Sequence, residues 1–128
     1  MKLTRNIFII IIVVIILIVG LDVITNKYTK ETLQILSGDL KILREYILDE
    51  DKIKSEEQMK IIKQNWEERY KILAFYIEHD ELEKVETELT RLEANIEVKE
   101  YKHCIEEIDA TIFILKHIQQ KEKLDIKS

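Results

Sequence analysis

The sequence predicts an all-α protein in which a single N-terminal transmembrane helix is followed by an antiparallel four-helix bundle or two stacked helical hairpins. Three observations carry this expectation. The chain opens MKLTRNIFIIIIVVIILIVGLDVITNK, a basic start followed by an almost unbroken apolar run. The rest repeats apolar residues at alternating spacings of three and four, the pattern of helix faces turned toward a core. The whole chain holds no proline and only Gly20 and Gly38, set among Glu, Lys, Leu and Ile, which favour long helices over turns or sheets. A chain of 128 residues has room for one small domain and an anchor.

The first element is the apolar leader. Lys2 and Arg5 form a short basic region, and Ile7 to Leu21 carries no charge, a start shared by cleaved signals and permanent anchors. The run ends Ile18-Val19-Gly20-Leu21-Asp22, without a small-residue processing triplet or a cysteine for lipid attachment, which disfavours cleavage. Ile7 to Ile24 is about 27 Å of helix at 1.5 Å per residue, close to a hydrocarbon core of about 30 Å. Asp22 then falls near the outer interface, where its carboxylate reaches headgroup water. The expected division is a cytoplasmic tail over 1–6, a signal-anchor helix over 7–24 and an extracytoplasmic helical domain over 25–128. The orientation rests on the short basic tail, which ordinarily stays in the cytoplasm while the following domain is translocated.

In the domain, Leu33, Leu36, Leu40, Leu43 and Ile47 form one apolar stripe. Ser37-Gly38-Asp39 falls inside it without shifting its phase, so Gly38 reads as a soft spot costing roughly 1 kcal/mol within one helix. After the acidic turn Asp49-Glu50-Asp51, a second helix places Met59, Ile62, Trp66, Tyr70, Leu73 and Ile77 on one side. Asp80 with Glu83 resembles an N-cap with a reciprocal acidic partner opening a third helix, which carries Leu82, Val85, Leu89, Leu92 and Ile96. A fourth turns Tyr101, Ile105, Ile108, Ile112, Leu115 and Ile118 inward and ends in the polar run Gln119 to Lys123, with a frayed terminus beyond. Short connections force successive helices into hairpins. The first and third stripes superpose at a shift of 49 residues, Leu33 on Leu82 through Ile47 on Ile96, whereas the second and fourth helices match poorly in residue type.

Charge and chemistry narrow the function classes. Removing Lys2, Arg5 and Asp22 from the chain's 20 basic and 25 acidic residues leaves 18 and 24, a net of −6 with the signs interleaved. That is a solvated helical surface and not a nucleic-acid footprint. Cys104 is the single cysteine, which excludes an internal disulfide and reads as a small buried side chain. Glu81, Glu83, Glu86, Glu88, Glu93 and Glu97 are expected to form a solvated acidic side of the third helix. His79 beside Asp80 marks an interhelical corner, where such a pair suits a helix end, a pH-sensitive cap or a metal ligand. His103 and Cys104 are neighbours about 100° apart on a helix and cannot readily chelate one ion. His117 has Ile114 three residues before it, so the carboxylate-histidine signature of di-metal bundles is absent. Trp66, Tyr70, Phe75 and Tyr76 concentrate aromatic surface on the second helix, which reads as core or as a ligand groove. The candidate functional corner or groove is thus His79, Asp80, Trp66, Tyr70 and His117. With no phosphate loop, no oriented nucleophile and no HExxH pair, no enzyme activity and no cofactor are expected.

TLQILSGDLKILREYI, NWEERYKILAFYIEHDELE, LTRLEANIEVKE and FILKHIQQKEKL together resemble an uncharacterised family of small bacterial membrane-anchored proteins, domain of unknown function 4363. Trp66, His79, Arg91-Leu92, Lys99 and His117 stand at that family's most recognisable positions. The end departs from it, reading Asp125-Ile126-Lys127-Ser128. The resemblance implies a spore-forming Gram-positive source and an extracytoplasmic domain, but no reaction or ligand. The expected role is a membrane-anchored interaction or scaffold protein working with the lipid bilayer and a membrane or envelope protein, with self-association through an exposed stripe left open. The alternative is a small-ligand or metal sensing or carrier domain at the membrane surface.

Overall fold

A computed structural model describes residues 1–127 of the chain, and the side chains through residue 123. Four helices follow one another: α1 (Lys2–Leu48), α2 (Lys52–Leu73), α3 (His79–Glu97) and α4 (Tyr101–Lys127). Among the described residues there is no strand.

The leader and the first apolar stripe are one helix. α1 runs 47 residues without interruption through both glycines, a rod of about 70 Å at 1.5 Å per residue. Around Gly20 and Gly38 there is open space where a Cβ would stand, so neither marks a close helix approach. The two parts of α1 differ completely in burial. From Ile7 to Ile24 no side chain is buried, whereas Leu36, Leu40, Leu43 and Ile47 are at most 1 % exposed. α1 is thus the one described helix long and apolar enough to cross a membrane.

The other stripes meet this half of α1 in a single core. Met59, Ile62, Trp66 and Leu73 come from α2, Leu82, Val85, Leu89, Leu92 and Ile96 from α3, and Cys104, Ile108, Leu115 and Ile118 from α4. Each helix packs on its sequence neighbours, and α4 closes the ring against α1. Polar contacts cross each adjacent pair. Between α1 and α2, Asn65 Nδ2 donates to Asp39 Oδ2 at 2.8 Å and Arg69 to Thr32 Oγ1 at 3.2 Å. Between α2 and α3, Lys63 pairs with Glu93 at 3.0 Å, and between α3 and α4, Asn95 donates to Glu107 at 2.8 Å. Arg44 to Asp109 at 3.4 Å and the Tyr101 hydroxyl to the Glu50 carbonyl at 3.3 Å join α1 and its turn to α4.

The two turns at the end remote from the leader are built alike. After α1, Glu50 N donates to Ile47 O and Asp51 N to Tyr46 O; after α3, Lys99 N donates to Ile96 O and Glu100 N to Asn95 O. This is the Schellman arrangement, whose left-handed residue is usually glycine. Here it is Glu50 at φ 54 and Lys99 at φ 60, 49 residues apart. The same shift carries fully buried Ser55 onto fully buried Cys104, Met59 onto Ile108 and Ile62 onto Thr111. The second and fourth helices therefore match in burial phase, although their residue types hid it.

Three expectations are corrected. The third helix begins at His79 with Glu78 at the N-cap position and no side-chain cap, so Asp80 lies in its first turn and does not cap it. Phe75 follows the end of α2 and is 87 % exposed, not part of an aromatic core face. α4 does not end in the polar run but continues to Lys127, while Ser128 lies outside the described residues.

Two substitutions test this arrangement in the full chain in detergent. Lys99→Gly relieves a left-handed backbone at a residue with a Cβ and should stabilise by about 0.5–1 kcal/mol. Leu92→Ala, at a fully buried position, should cost about 2–5 kcal/mol. Both are read from the midpoint of unfolding followed by helical circular dichroism.

Candidate functional site

The five sequence-selected residues fall into separate settings. Trp66 and Tyr70, one turn apart on α2, meet edge to face with ring centroids 6.0 Å apart at 62°. Trp66 is 3 % exposed, and its indole Nε1 donates to Glu86 Oε1 on α3 at 2.9 Å. Beside it a cavity of about 10 Å³ lies between Thr29, Thr32, Leu73 and Leu115, at the lower limit for one water molecule. Trp66 fills the core, and Tyr70 lines an open polar depression with Glu67, Lys71 and Glu86.

His79 and Asp80 are exposed in the first turn of α3, where the acidic side chains of Asp80 and Glu81 complement the positive helix end. His79 Nε2 lies 3.9 Å from Glu83 Oε2 with both side chains well exposed. His117 is exposed on α4. Among the described residues no three His, Cys, Asp or Glu side chains group as metal ligands.

One polar cluster joins residues that the sequence pattern did not single out. It lies at the end of the bundle from which α1 continues into its apolar segment. The Tyr76 hydroxyl, from the α2 to α3 connection, donates to the Thr25 carbonyl at 3.1 Å and shares a 2.7 Å hydrogen bond with Thr29 Oγ1. Nearby, the Arg69 guanidinium stacks over the Tyr28 ring at 4.6 Å and lies 4.0 Å from Glu31. Lys121 of α4 reaches Glu78 at 3.2 Å and Glu81 at 3.7 Å. Tyr76, Glu78, Glu81, Ile118 and Lys121 border a void of about 140 Å³, room for a few waters. Glu81 is only 7 % exposed, which corrects the expectation that all six α3 glutamates face solvent. Its Oε2 is buried without a hydrogen bond, while Oε1 is neutralised by Lys84 and Lys121. A repeat of Leu, Val and Ile at heptad positions could not reveal that an adjacent glutamate turns inward.

Burial dominates the two shifted groups. It pushes the Tyr76 hydroxyl up to about 12, with the Thr29 hydrogen bond opposing and the Glu122 carboxylate adding. It pushes the Cys104 thiol up to about 11, helped by Glu107, which keeps this fully buried side chain a neutral thiol at physiological pH.

Both groups hold their protons more tightly folded than unfolded. Their contribution to stability is therefore complete below about pH 9 and is lost as pH rises through about 12. Tyr76→Phe should cost about 1 kcal/mol near neutrality by removing the hydroxyl contacts. It should also flatten the alkaline loss between about pH 10 and 12, as read from unfolding midpoints across that range.

No curated protein and no solved structure matches the chain. One family model does, described as a domain of unknown function (DUF4363), over residues 23–128. The match begins at the last residues of the apolar run and takes in the packed part of α1 and all of α2, α3 and α4, so the chain belongs to the DUF4363 family.

Proposed function

We propose that this is a single-pass, membrane-anchored helical interaction or scaffold protein. In this reading residues 7–24 cross the membrane, 1–6 stay in the cytoplasm, and 25–128 form an extracytoplasmic antiparallel four-helix bundle that works with a membrane or envelope protein. The observation that carries it is the continuity of α1, in which an unburied apolar stretch passes without a break into the stripe that organises the core. In water an apolar face of that extent would be left uncovered on all sides; a bilayer covers it. The small interior spaces support interaction over ligand carriage: the cavity beside Trp66 is about 10 Å³ and the void beside Tyr76 about 140 Å³, room for a few waters. Large apolar side chains stand on the outside, Phe113 at 72 %, Ile53 at 72 % and Val98 at 64 % exposure.

Topology is tested by Lys123→Cys and a membrane-impermeant maleimide on intact cells. Buried, protonated Cys104 contributes little background. Labelling is expected, and protection of the engineered thiol would reverse the orientation. The interaction role is tested by a photo-crosslinking residue at position 113 in native membranes. A single adduct of defined mass is expected. A smear of abundant membrane proteins from a monomeric chain, together with a melting temperature raised by one metabolite or metal ion, would favour the sensing role instead.

A further inference from the structure

The connection between α2 and α3 closes the bundle on the side where α1 continues into its apolar segment, and it is held there closely. Consecutive backbone hydrogen bonds from Ala74 to Tyr70, Phe75 to Ile72 and Tyr76 and Ile77 to Leu73 make it a tight turn. The Tyr76 hydroxyl, bonded to the Thr25 carbonyl and to Thr29, ties that turn to the residue that follows Ile24. At 1.5 Å per residue, the attachment point is within about one helical turn of the end of the apolar stretch. The half-buried rings of Tyr28 and Tyr76 stand at this level, and the membrane–water interface is where such amphipathic rings are enriched. Phe75, beside Tyr76, is the most exposed large apolar side chain among the described residues after Met1, at 87 %.

We propose that the α2 to α3 turn is a second membrane contact, in which Phe75 inserts its ring at the headgroup and acyl-chain boundary of the bilayer that α1 crosses. This rests on the reading of residues 7–24 as a membrane span. The ring, and not a charged patch, makes the contact. Lys27, Lys30 and Lys71 are exposed at this end, but Glu78 and Asp80 stand across from them on the α3 side. A hydrophobic side chain on a rigid turn can enter the interfacial region without displacing either set of charges. With two attachments, the transmembrane helix and the Phe75 turn, the bundle is fixed in tilt and in rotation about the membrane normal.

The test uses the full chain in nanodiscs of phosphatidylcholine and phosphatidylglycerol, with nitroxide labels placed singly at Val19→Cys, Phe75→Cys and Ile53→Cys. Collision with oxygen, which concentrates in lipid, is compared with collision with a water-soluble nickel chelate. The labels at 19 and 75 should favour oxygen, and the label at 53, at the remote end, should favour the chelate. A label at 75 that favours the chelate while that at 19 favours oxygen overturns the second contact and leaves the anchor standing. A label at 19 that favours the chelate removes the anchor reading as well. Shielding of position 75 from both probes would mean that protein covers the turn, and it too overturns the lipid contact.

Discussion

Everything else in this structure depends on the continuity of α1. Each N–H inside an α-helix bonds the carbonyl four residues before it, and in α1 this ladder crosses from an apolar segment with no buried side chain into one whose face is almost completely buried. The composition changes sharply near Asp22, but neither a proline nor a glycine-rich stretch is present to break the ladder there. Helix propensity therefore carries the chain across the boundary. The core inherits its axis from that rod, because Leu36, Leu40, Leu43 and Ile47 form one wall against which α2 and α4 pack.

The two hairpins solve one geometric problem twice. Each joins two successive helices that pack on one another, and each is closed by a Schellman turn with a charged residue in the left-handed position. Holding Glu50 and Lys99 there costs backbone strain that glycine would avoid. Both remain exposed, so their side chains meet no steric obstacle beyond the local one. The 49-residue shift that relates these turns also superposes buried positions of α2 and α4 with unlike residues, Trp66 on Leu115 and Ile62 on Thr111. Thr111 is accommodated because its hydroxyl donates back to the Glu107 carbonyl at 2.7 Å. Equivalent positions thus keep their burial while their chemistry diverges.

Much of this was legible in the sequence because it is periodic. The stripes of α1 and α3 are strict, and nearly every residue named on them is buried. Legibility failed where periodicity ends. Ile77 continues the apparent stripe of α2, and Phe75 its aromatic concentration, yet α2 stops at Leu73 and the next residues turn, throwing Phe75 into the open and Tyr76 back onto α1. The Asp80 and Glu83 spacing suits an N-cap, but the N-cap position falls two residues earlier, at Glu78, and both carboxylates are exposed. The hydrogen bonds from Trp66 to Glu86, between α2 and α3, and from Tyr76 to Thr25, at the leader end, join residues 20 and 51 positions apart. No local pattern encodes them, since they depend on how the helices are placed.

The two ends of the bundle are therefore unlike, and that difference bears on how such a protein could meet another. At the leader end, hydrogen bonds and ion pairs among hydroxyls, carboxylates and lysines link α1, α2, α3 and α4, although Glu81 Oε2 stays without a hydrogen bond, and Phe75 is the prominent apolar feature. At the remote end, the turns are held by backbone hydrogen bonds and by Tyr101 on Glu50, and Leu48, Ile53 and Val98 stand exposed around them. Exposed apolar side chains on rigid turns lose little conformational entropy when a partner covers them, so they are efficient contact points. In the proposed reading, with the leader end against the bilayer, a partner would be met along the helix flanks or at these remote turns, some 30 Å of helix away by the length of α2. The rigid α1 rod then fixes the height above the membrane at which that meeting takes place.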